Sequence, residues 1–205
     1  MKIGIIGAGN VGRALATASV RAGHSVTITS AEPGEAEGVA SDVRATAVRS
    51  NREAAAAADV IILAVPFSAV ESIVSEVGSQ FDGKALIDVT NRFTAEDLRS
   101  PSNAELIQQM APNAGVVKAF NTIFASHQAD PVVDGIQLDG FVAGDATGAK
   151  QKVLDLVKSL GFRPVDCGPL AMARALEGMG TLNISLNAAN GWPWQSGWKL
   201  VGPTG

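Results

Sequence analysis

The sequence predicts an α/β fold, namely a doubly wound parallel sheet with helices on both faces and a small C-terminal α/β extension. Short runs of β-branched residues alternate along the chain with alanine-rich amphipathic stretches, which is the pattern of strands joined by crossover helices. The strand-like runs are apolar at nearly every position. They therefore indicate strands that helices cover on both sides, since a sheet with one solvated face would alternate apolar and polar residues.

The predicted elements of the main sheet occupy residues 1–123. The strands are, in order, KIGII, SVTIT, ADVIILAV, KALIDV and GVVKAF, and the helices are VGRALATASVRAG, SAVESIVSEVGSQ and ELIQQM. The run Ala54–Ala58 has high helix propensity and is interpreted as a helix flank.

The pattern continues more loosely in residues 124–205, which we predict as the small extension. Its elements are the strand FVAGD, the helix ATGAKQKVLDLVKSLG, the strand FRPVDCG and the long helix LAMARALEGMGTLNISLNAAN. We expect this segment to form part of a ligand pocket and contacts between two copies of the chain.

Composition excludes several classes of function. The chain has 205 residues and a formal charge of −4 without a Lys/Arg cluster, which argues against a nucleic-acid surface. One cysteine and two histidines offer little material for a metal centre. No apolar run approaches the roughly 20 residues that cross a bilayer, and nothing after Met1 resembles an export signal. We expect a cytoplasmic protein with a small-molecule partner and no membrane contact.

The most informative motif is GAGNVG, which follows the first strand and opens the first helix. In this pattern Gly7 allows a tight turn, Gly9 lets the backbone approach a pyrophosphate, and Gly12 lets the helix pack against the strand. The helix then directs its N-terminal N–H groups at the phosphates. The run VIILAVPF fits a later strand of the same Rossmann-type fold. Together they predict dinucleotide binding.

The end of the second strand bears on which dinucleotide binds. A carboxylate there holds the ribose hydroxyls of NAD and repels the additional phosphate of NADP. This chain has Thr29 and Ser30, whose hydroxyls could donate to a phosphate, so NADP is favoured over NAD. Glu32 is close enough in sequence that a turn could return it to the ribose, and this alternative stays open.

Several segments resemble the family of F420-dependent NADP reductases, which is related to the oxidoreductase domain of the six-transmembrane metalloreductases. The resemblance covers essentially the whole chain and rests on IGIIGAGNVG, VTITS, VIILAVPFSAV, VKAFNT, FRPVDCGPL and NGWPWQSGWKL. It implies hydride transfer between NADPH and a flavin-like carrier, either coenzyme F420 or FMN/FAD.

The resemblance also implies cofactor-binding residues. A pyrophosphate turn matches Gly7, Gly9, Asn10 and Val11, a hydroxyl pair beside the adenosine phosphate matches Thr29 and Ser30, and a turn along the nicotinamide ribose matches Val65, Pro66 and Phe67. Family members usually place an arginine directly after the serine, where this chain has Ala31. The nearest basic residues beyond that loop are Arg44, Arg49 and Arg52, one of which would have to fold back.

Polar residues also follow the strand VKAF. We predict that Lys118, Asn121 and Thr122 lie at a carboxyl end of the sheet, where α/β proteins bind ligands, and that the last two bond the nicotinamide carboxamide or the acceptor ring. Asn91, in DVTN at the end of another strand, is expected to shape the same rim.

Hydride transfer asks little of protein side chains, because the cofactors carry the chemistry. His127 is a weak candidate proton donor, whereas His24 and Cys167 are interpreted as structural. The three tryptophans of NGWPWQSGWKL suggest a pocket rim or the seam of a homodimer.

Two alternatives stay open. The chain could be an NADP-binding redox sensor without turnover, or, ranked lower, a β-hydroxyacid or imine reductase. Those reductases share the glycine turn but append a long helical domain for which about 80 residues are too few.

Overall fold

A computed structural model describes residues 1–32, 34–92 and 100–202 of the chain. Its strands are β1 Lys2–Ile6, β2 Ser25–Thr29, β3 Thr46–Ala47, β4 Val60–Leu63, β5 Ala85–Asp88, β6 Gly115–Lys118, β7 Val132–Val133, β8 Ile136–Gln137, β9 Asp139–Gly144 and β10 Arg163–Asp166. Its helices are α1 Asn10–Arg21, α2 Glu35–Val43, α3 Asn51–Ala56, α4 Val70–Val77, α5 Asn103–Met110, α6 Ala125–Gln128, α7 Thr147–Ser159 and α8 Ala173–Asn190.

The main sheet confirms the predicted fold class. Its strand order is β10-β9-β6-β5-β4-β1-β2-β3, with β7 and β8 forming a separate hairpin. From β3 to β6 all neighbouring strands are parallel. Starting at β1, the chain adds β2 and β3 on one side of the sheet and then returns to add β4, β5 and β6 on the other, so the order reverses between β1 and β4. Such a reversal opens a crevice at the carboxyl ends of the strands, which is where ligands bind in open α/β sheets.

The C-terminal segment extends this sheet. Strand β9 pairs antiparallel with β6, and β10 then pairs parallel with β9. The sheet is therefore mostly parallel, and Val142 and Leu156 of this segment share one hydrophobic core with residues of β1 and β4. Periodicity along the sequence gives no direction for a strand, so this reversal could not be predicted.

Helices cover both faces of the sheet. On one face Leu15 of α1 and Leu156 of α7 pack against apolar side chains of β1, β2, β4 and β5. On the other face Ile73 of α4 and Ile107 of α5 pack against apolar side chains of β1, β4, β5 and β6. The central strands have no solvated face, which is why their sequences are almost continuously apolar. Within the described ranges no helix is both long and apolar enough to span a membrane.

Candidate functional site

A cleft of about 680 Å³ opens at the carboxyl ends of β1, β2 and β4, and we call it the glycine-loop cleft. Its lining residues are Ile6, Gly7, Ala8, Gly9, Thr29, Ser30, Ala31, Glu35, Arg49, Ser50, Asn51, Ala64, Val65, Pro66, Ala69, Ser72, Ile73 and Glu76. Six of the residues predicted from the sequence are brought together here: Gly7, Gly9, Thr29, Ser30, Val65 and Pro66.

The absence of a side chain has a different structural reason at each of the three glycines of the loop. Gly7 has a φ of +107°, and a Cβ on it would lie 2.3 Å from the carbonyl oxygen of Ala64. A Cβ on Gly12 would lie 1.9 Å from the carbonyl oxygen of Gly7. Gly9 is the N-cap of α1, and a Cβ there would meet no protein atom within 4 Å. Close packing thus excludes a side chain at Gly7 and Gly12, whereas Gly9 faces open space.

The end of β2 carries a carboxylate that sequence reasoning missed. The Ser30 hydroxyl donates a hydrogen bond to the carboxylate of Glu35 in the first turn of α2, and it accepts one from the backbone N–H of Glu32 at 3.2 Å. Glu35 lines the cleft, whereas Glu32 does not. A turn does bring a carboxylate back to this position, but it comes from five residues after Ser30.

A second, smaller cavity of about 140 Å³ lies beyond the carboxyl ends of β5 and β6, and we call it the β6 pocket. It is lined by Val11, Val89, Asn91, Phe120, Asn121, Thr122, Ile123, Phe124, Ala125, Gln128, Gly180, Asn183 and Ile184. Val11 lies in the first turn of α1, two residues after Gly9, which lines the glycine-loop cleft. The start of α1 therefore lies between the glycine-loop cleft and the β6 pocket.

Three buried polar atoms of the β6 pocket have no hydrogen-bond partner in the part of the chain that the structure describes. They are Asn121 Oδ1, Thr122 Oγ1 and Gln128 Oε1. The amide orientations follow from the other bonds, because Asn121 Nδ2 donates to Asn91 Oδ1 and the Leu176 carbonyl, and Gln128 Nε2 to the carbonyls of Phe120 and Ile123. Leaving a buried polar group unpaired costs about 1 to 3 kcal/mol. Three residues that each have an unpaired buried polar atom therefore line the pocket.

The backbone at this pocket is strained. Phe120, the second residue after β6, has a φ of +62° although it is not glycine, and its side chain is buried. Bulky residues adopt this conformation only where the surrounding structure enforces it, and such residues cluster at ligand sites. Here the turn places Asn121 and Thr122 in the lining of the pocket.

Below the pocket lies a buried charge cluster. The Lys118 ammonium bonds to the carboxylates of Asp88 at 2.7 Å and Glu177 at 2.8 Å and to the Thr90 carbonyl at 2.6 Å. Glu177 also accepts from the backbone N–H of Asn103 at the start of α5. The Lys118 side chain has no exposed area and lines neither cavity. The ammonium is fully engaged inside the protein, and this geometry gives no support to the prediction that Lys118 contacts a cofactor.

Other predicted residues lie at the edges. Asn10 and Phe67 adjoin lining residues in sequence but line neither cavity. His127 also lies outside both, and its Nδ1 and Nε2 face the backbone carbonyls of Asp130 at 3.3 Å and Gln195 at 2.8 Å. It connects α6 to the C-terminal segment, and nothing in this geometry favours it as a proton donor.

The structural interpretations of His24 and Cys167 agree with the geometry. His24 Nε2 lies 2.8 Å from Ser159 Oγ, and burial together with the positively charged N-terminus lowers its pKa. Burial raises the pKa of the Cys167 thiol, so the group is mostly protonated near neutral pH. The described residues contain no cluster of three or more side chains suited to a metal ion.

The tryptophans have different surroundings. Trp194 is 45% exposed and packs edge-to-face on Phe124 at a centroid distance of 5.6 Å, which places it at the rim of the β6 pocket. Trp198 packs with Phe141 and Leu176. Trp192 is 44% exposed.

Comparison with known proteins supports the assignment that this geometry suggests. A family described as coenzyme F420-dependent NADP oxidoreductase matches residues 2–92. The F420-dependent NADP reductase of Methanothermobacter thermautotrophicus is 33% identical over 211 residues, covering 93% of this chain and 90% of that protein. The chain belongs to the F420-dependent NADP reductase family. The prediction of an NADP-linked oxidoreductase of this family is therefore confirmed.

Two further relatives define the limits of the likeness. Metalloreductase STEAP3 of Rattus norvegicus is 37% identical over 178 residues, which cover 86% of this chain and 36% of that protein. The chain thus spans about a third of the length of that relative. A crystal structure titled as a putative F420-dependent NADP reductase from Arthrobacter has a TM-score of 0.86 at 29% identity and covers 98% of this chain and 100% of that one.

The imine reductases share the fold only. The enzyme from Myxococcus stipitatus superimposes with a TM-score of 0.71 at 20% identity, and the match covers 94% of this chain but 67% of that one. The remainder of the larger protein has no counterpart in this chain.

Proposed function

We propose that the protein transfers a hydride between NADPH, bound in the glycine-loop cleft, and coenzyme F420 or a flavin, bound beside the β6 pocket. The observation that carries this proposal is the arrangement of two cavities on either side of the start of α1. One has open space at the N-terminus of α1, where a phosphate would lie, and the other is lined by residues whose buried polar atoms have no hydrogen-bond partner among the described residues. Residues 1–123 then hold the nucleotide, and residues 124–205 complete the acceptor side.

The glycine-loop cleft fits a dinucleotide. Gly9 lies at the N-terminus of α1 with open space where a side chain would be, so a pyrophosphate could approach the backbone N–H groups and the positive end of the helix dipole. Val65 and Pro66, after β4, provide the apolar wall along which a ribose would lie. We retain Asn10, Val11 and Phe67 as flanking contacts of the same nucleotide.

The β6 pocket fits the nicotinamide end. Asn121 Oδ1 and Gln128 Oε1 accept hydrogen bonds only, and the carboxamide of nicotinamide carries two N–H donors. Thr122 can donate to the carboxamide oxygen. Gln128 was not foreseen, because it lies on α6 and reaches the pocket only through the turn after β6.

The bound nucleotide supplies the hydride, and a deazaflavin or flavin ring takes it up together with a proton. The protein binds and orients the two rings and excludes water from them. Phe124 and Trp194 form an apolar rim at the β6 pocket that serves this exclusion. We assign no side chain as proton donor.

The test measures NADPH oxidation by the purified protein at the nicotinamide absorbance, with F420 and FMN offered in parallel and NADH as control donor. Turnover with F420 or FMN is expected. Replacing Thr122 by valine, which removes the unpaired hydroxyl at constant shape, should lower kcat/KM about tenfold, whereas Thr17→Val on the side of α1 should not. Tight NADPH binding without oxidation by either acceptor would refute hydride transfer and favour a redox sensor.

We further propose that the protein works as a homodimer in the cytoplasm. Leu182 and Leu186 are one helical turn apart on α8 and are 50% and 37% exposed, close in sequence to the exposed Trp192. Aliphatic and aromatic side chains grouped in this way are typical of an interface core. Cys167 forms no disulfide bond, and a free thiol suits a reducing compartment.

A further inference from the structure

We infer that Arg49 and Glu35 together set the preference between NADPH and NADH, with Arg49 binding the 2′-phosphate and Glu35 opposing it. This inference rests on the proposed dinucleotide site. It concerns the end of β2, where the residue after Ser30 is the uncharged Ala31.

The strand register places Arg49 beside the end of β2. Thr27 pairs with Thr46 and Ile28 with Ala47, and the N–H of Val48 donates to the carbonyl of Ile28 at 2.9 Å. The next residue of the loop after β3 is Arg49, which therefore follows the neighbouring strand at the level where Ser30 follows β2. A cation missing from one strand end is thus supplied by the adjacent one.

The other two arginines that the sequence offered are directed elsewhere. Arg52 donates to the carbonyl of Glu76 at 2.6 Å. Arg44 lines a separate groove with Lys2 and His24, at the amino ends of β1 and β2. Among the described residues that line the glycine-loop cleft, Arg49 is the only cation.

The Arg49 guanidinium is available for a ligand. Its backbone is fixed, since the N–H donates to the Glu53 carboxylate at 3.1 Å. No hydrogen bond or ion pair joins its guanidinium to any residue that the structure describes. A planar guanidinium can donate two parallel hydrogen bonds to a phosphate, which makes arginine the usual partner of such groups.

Glu35 acts in the opposite sense. Its carboxylate lies in the same cleft and accepts the hydrogen bond that the Ser30 hydroxyl donates, so Ser30 is not a free donor to a phosphate. A carboxylate at this strand end suits the two hydroxyls of an unphosphorylated ribose and repels a phosphate. The cleft therefore contains one group that favours each cofactor.

The experiment uses isothermal titration of the full chain with adenosine 2′,5′-bisphosphate and with 5′-AMP, which report on the adenosine end without any hydride transfer. Arg49→Gln should weaken the bisphosphate about 10- to 100-fold, as expected for lost charge-assisted hydrogen bonds, and change 5′-AMP binding by less than about threefold. Glu35→Gln should tighten the bisphosphate severalfold. Arg44→Gln, outside the cleft, is the matched control and should change neither.

Equal weakening of both ligands by Arg49→Gln, or no weakening of either, would overturn the role of Arg49. Weaker bisphosphate binding in Glu35→Gln would overturn the role of Glu35. The ratio of KM for NADPH and NADH should shift in the same directions. If neither acceptor were reduced but the binding ratios shifted as described, hydride transfer would be wrong and this inference would stand.

Discussion

The residues of the glycine loop differ in what a side chain would meet. At Gly7 and Gly12 a Cβ would run into backbone carbonyls that cannot move without opening the turn or lifting α1 from the sheet. At Gly9 it would meet no protein atom within 4 Å. Because the proposed pyrophosphate lies at this position, a side chain at Gly9 would clash with the ligand but not with the protein.

Gly9→Ala and Gly12→Ala should therefore separate binding from folding. Gly12→Ala should lower the free energy of unfolding by about 3 kcal/mol through the backbone clash. Gly9→Ala should lower it by about 1 kcal/mol or less, as expected for an N-cap change, yet weaken NADPH binding at least about tenfold. Urea denaturation and calorimetric titration measure the two effects. A Gly9→Ala protein that binds NADPH as tightly as wild type would show that the pyrophosphate lies elsewhere.

Single residues also show where sequence reasoning reached its limit. The glycine motif, Thr29, Ser30, Val65 and Pro66 line one cleft because each lies at or just after the end of a strand, and parallel strands end at one edge. Lys118 met the same criterion, but its long side chain turns into the core, where two carboxylates hold it. Strand position alone does not give the direction of a side chain beyond the strand end.

At the scale of elements, the buried cluster of Lys118, Asp88 and Glu177 joins β5, β6, α5 and α8. Glu177 binds both the Lys118 ammonium and the first N–H of α5, so one carboxylate fixes two helices relative to the sheet. Gly180, one turn further along α8, lets the helix approach Asn91, because a Cβ there would lie 2.5 Å from its side-chain oxygen. These contacts position the wall of the β6 pocket.

Replacing Lys118 by methionine should destabilise the protein by about 3 to 5 kcal/mol, because it removes the cation of the buried Asp88 carboxylate and leaves Glu177, among the described residues, only its ion pair with Arg92 at 3.5 Å. Chemical denaturation followed by circular dichroism gives the value. The matched control is Lys152→Met on the exposed side of α7, for which we expect a change within about 0.5 kcal/mol. A loss below about 1 kcal/mol in Lys118→Met would mean that water or another cation replaces the ammonium.

The elements that sequence analysis missed are short. Strands β3, β7 and β8 have two residues each, α6 has four, and α2 has nine. Such segments carry too few residues to establish a period, and tertiary packing defines them. Two of them supply important residues, since Arg49 follows β3 and Gln128 ends α6.

At the scale of the whole molecule, the exposed side of α8 leads to a prediction about assembly. Light scattering should give twice the mass of one chain for the wild-type protein. Leu182→Glu combined with Leu186→Glu should shift the protein to monomer, because two carboxylates cannot be desolvated in an apolar interface. Lys152→Glu on the exposed side of α7 is the control. Wild-type protein with the mass of a single chain would refute the dimer.

The sequence by itself determined the fold class, the succession of the central strands along the chain and the position of the glycine loop. These depend on local signals: apolar runs, helix periodicity and glycines at fixed spacing. Only the tertiary structure decided that β9 runs antiparallel, that Lys118 is buried, that Glu35 reaches Ser30 and that Arg49 is the cleft arginine. Each of these depends on how segments distant in sequence meet in space, and packing and burial set that without a local pattern in the chain.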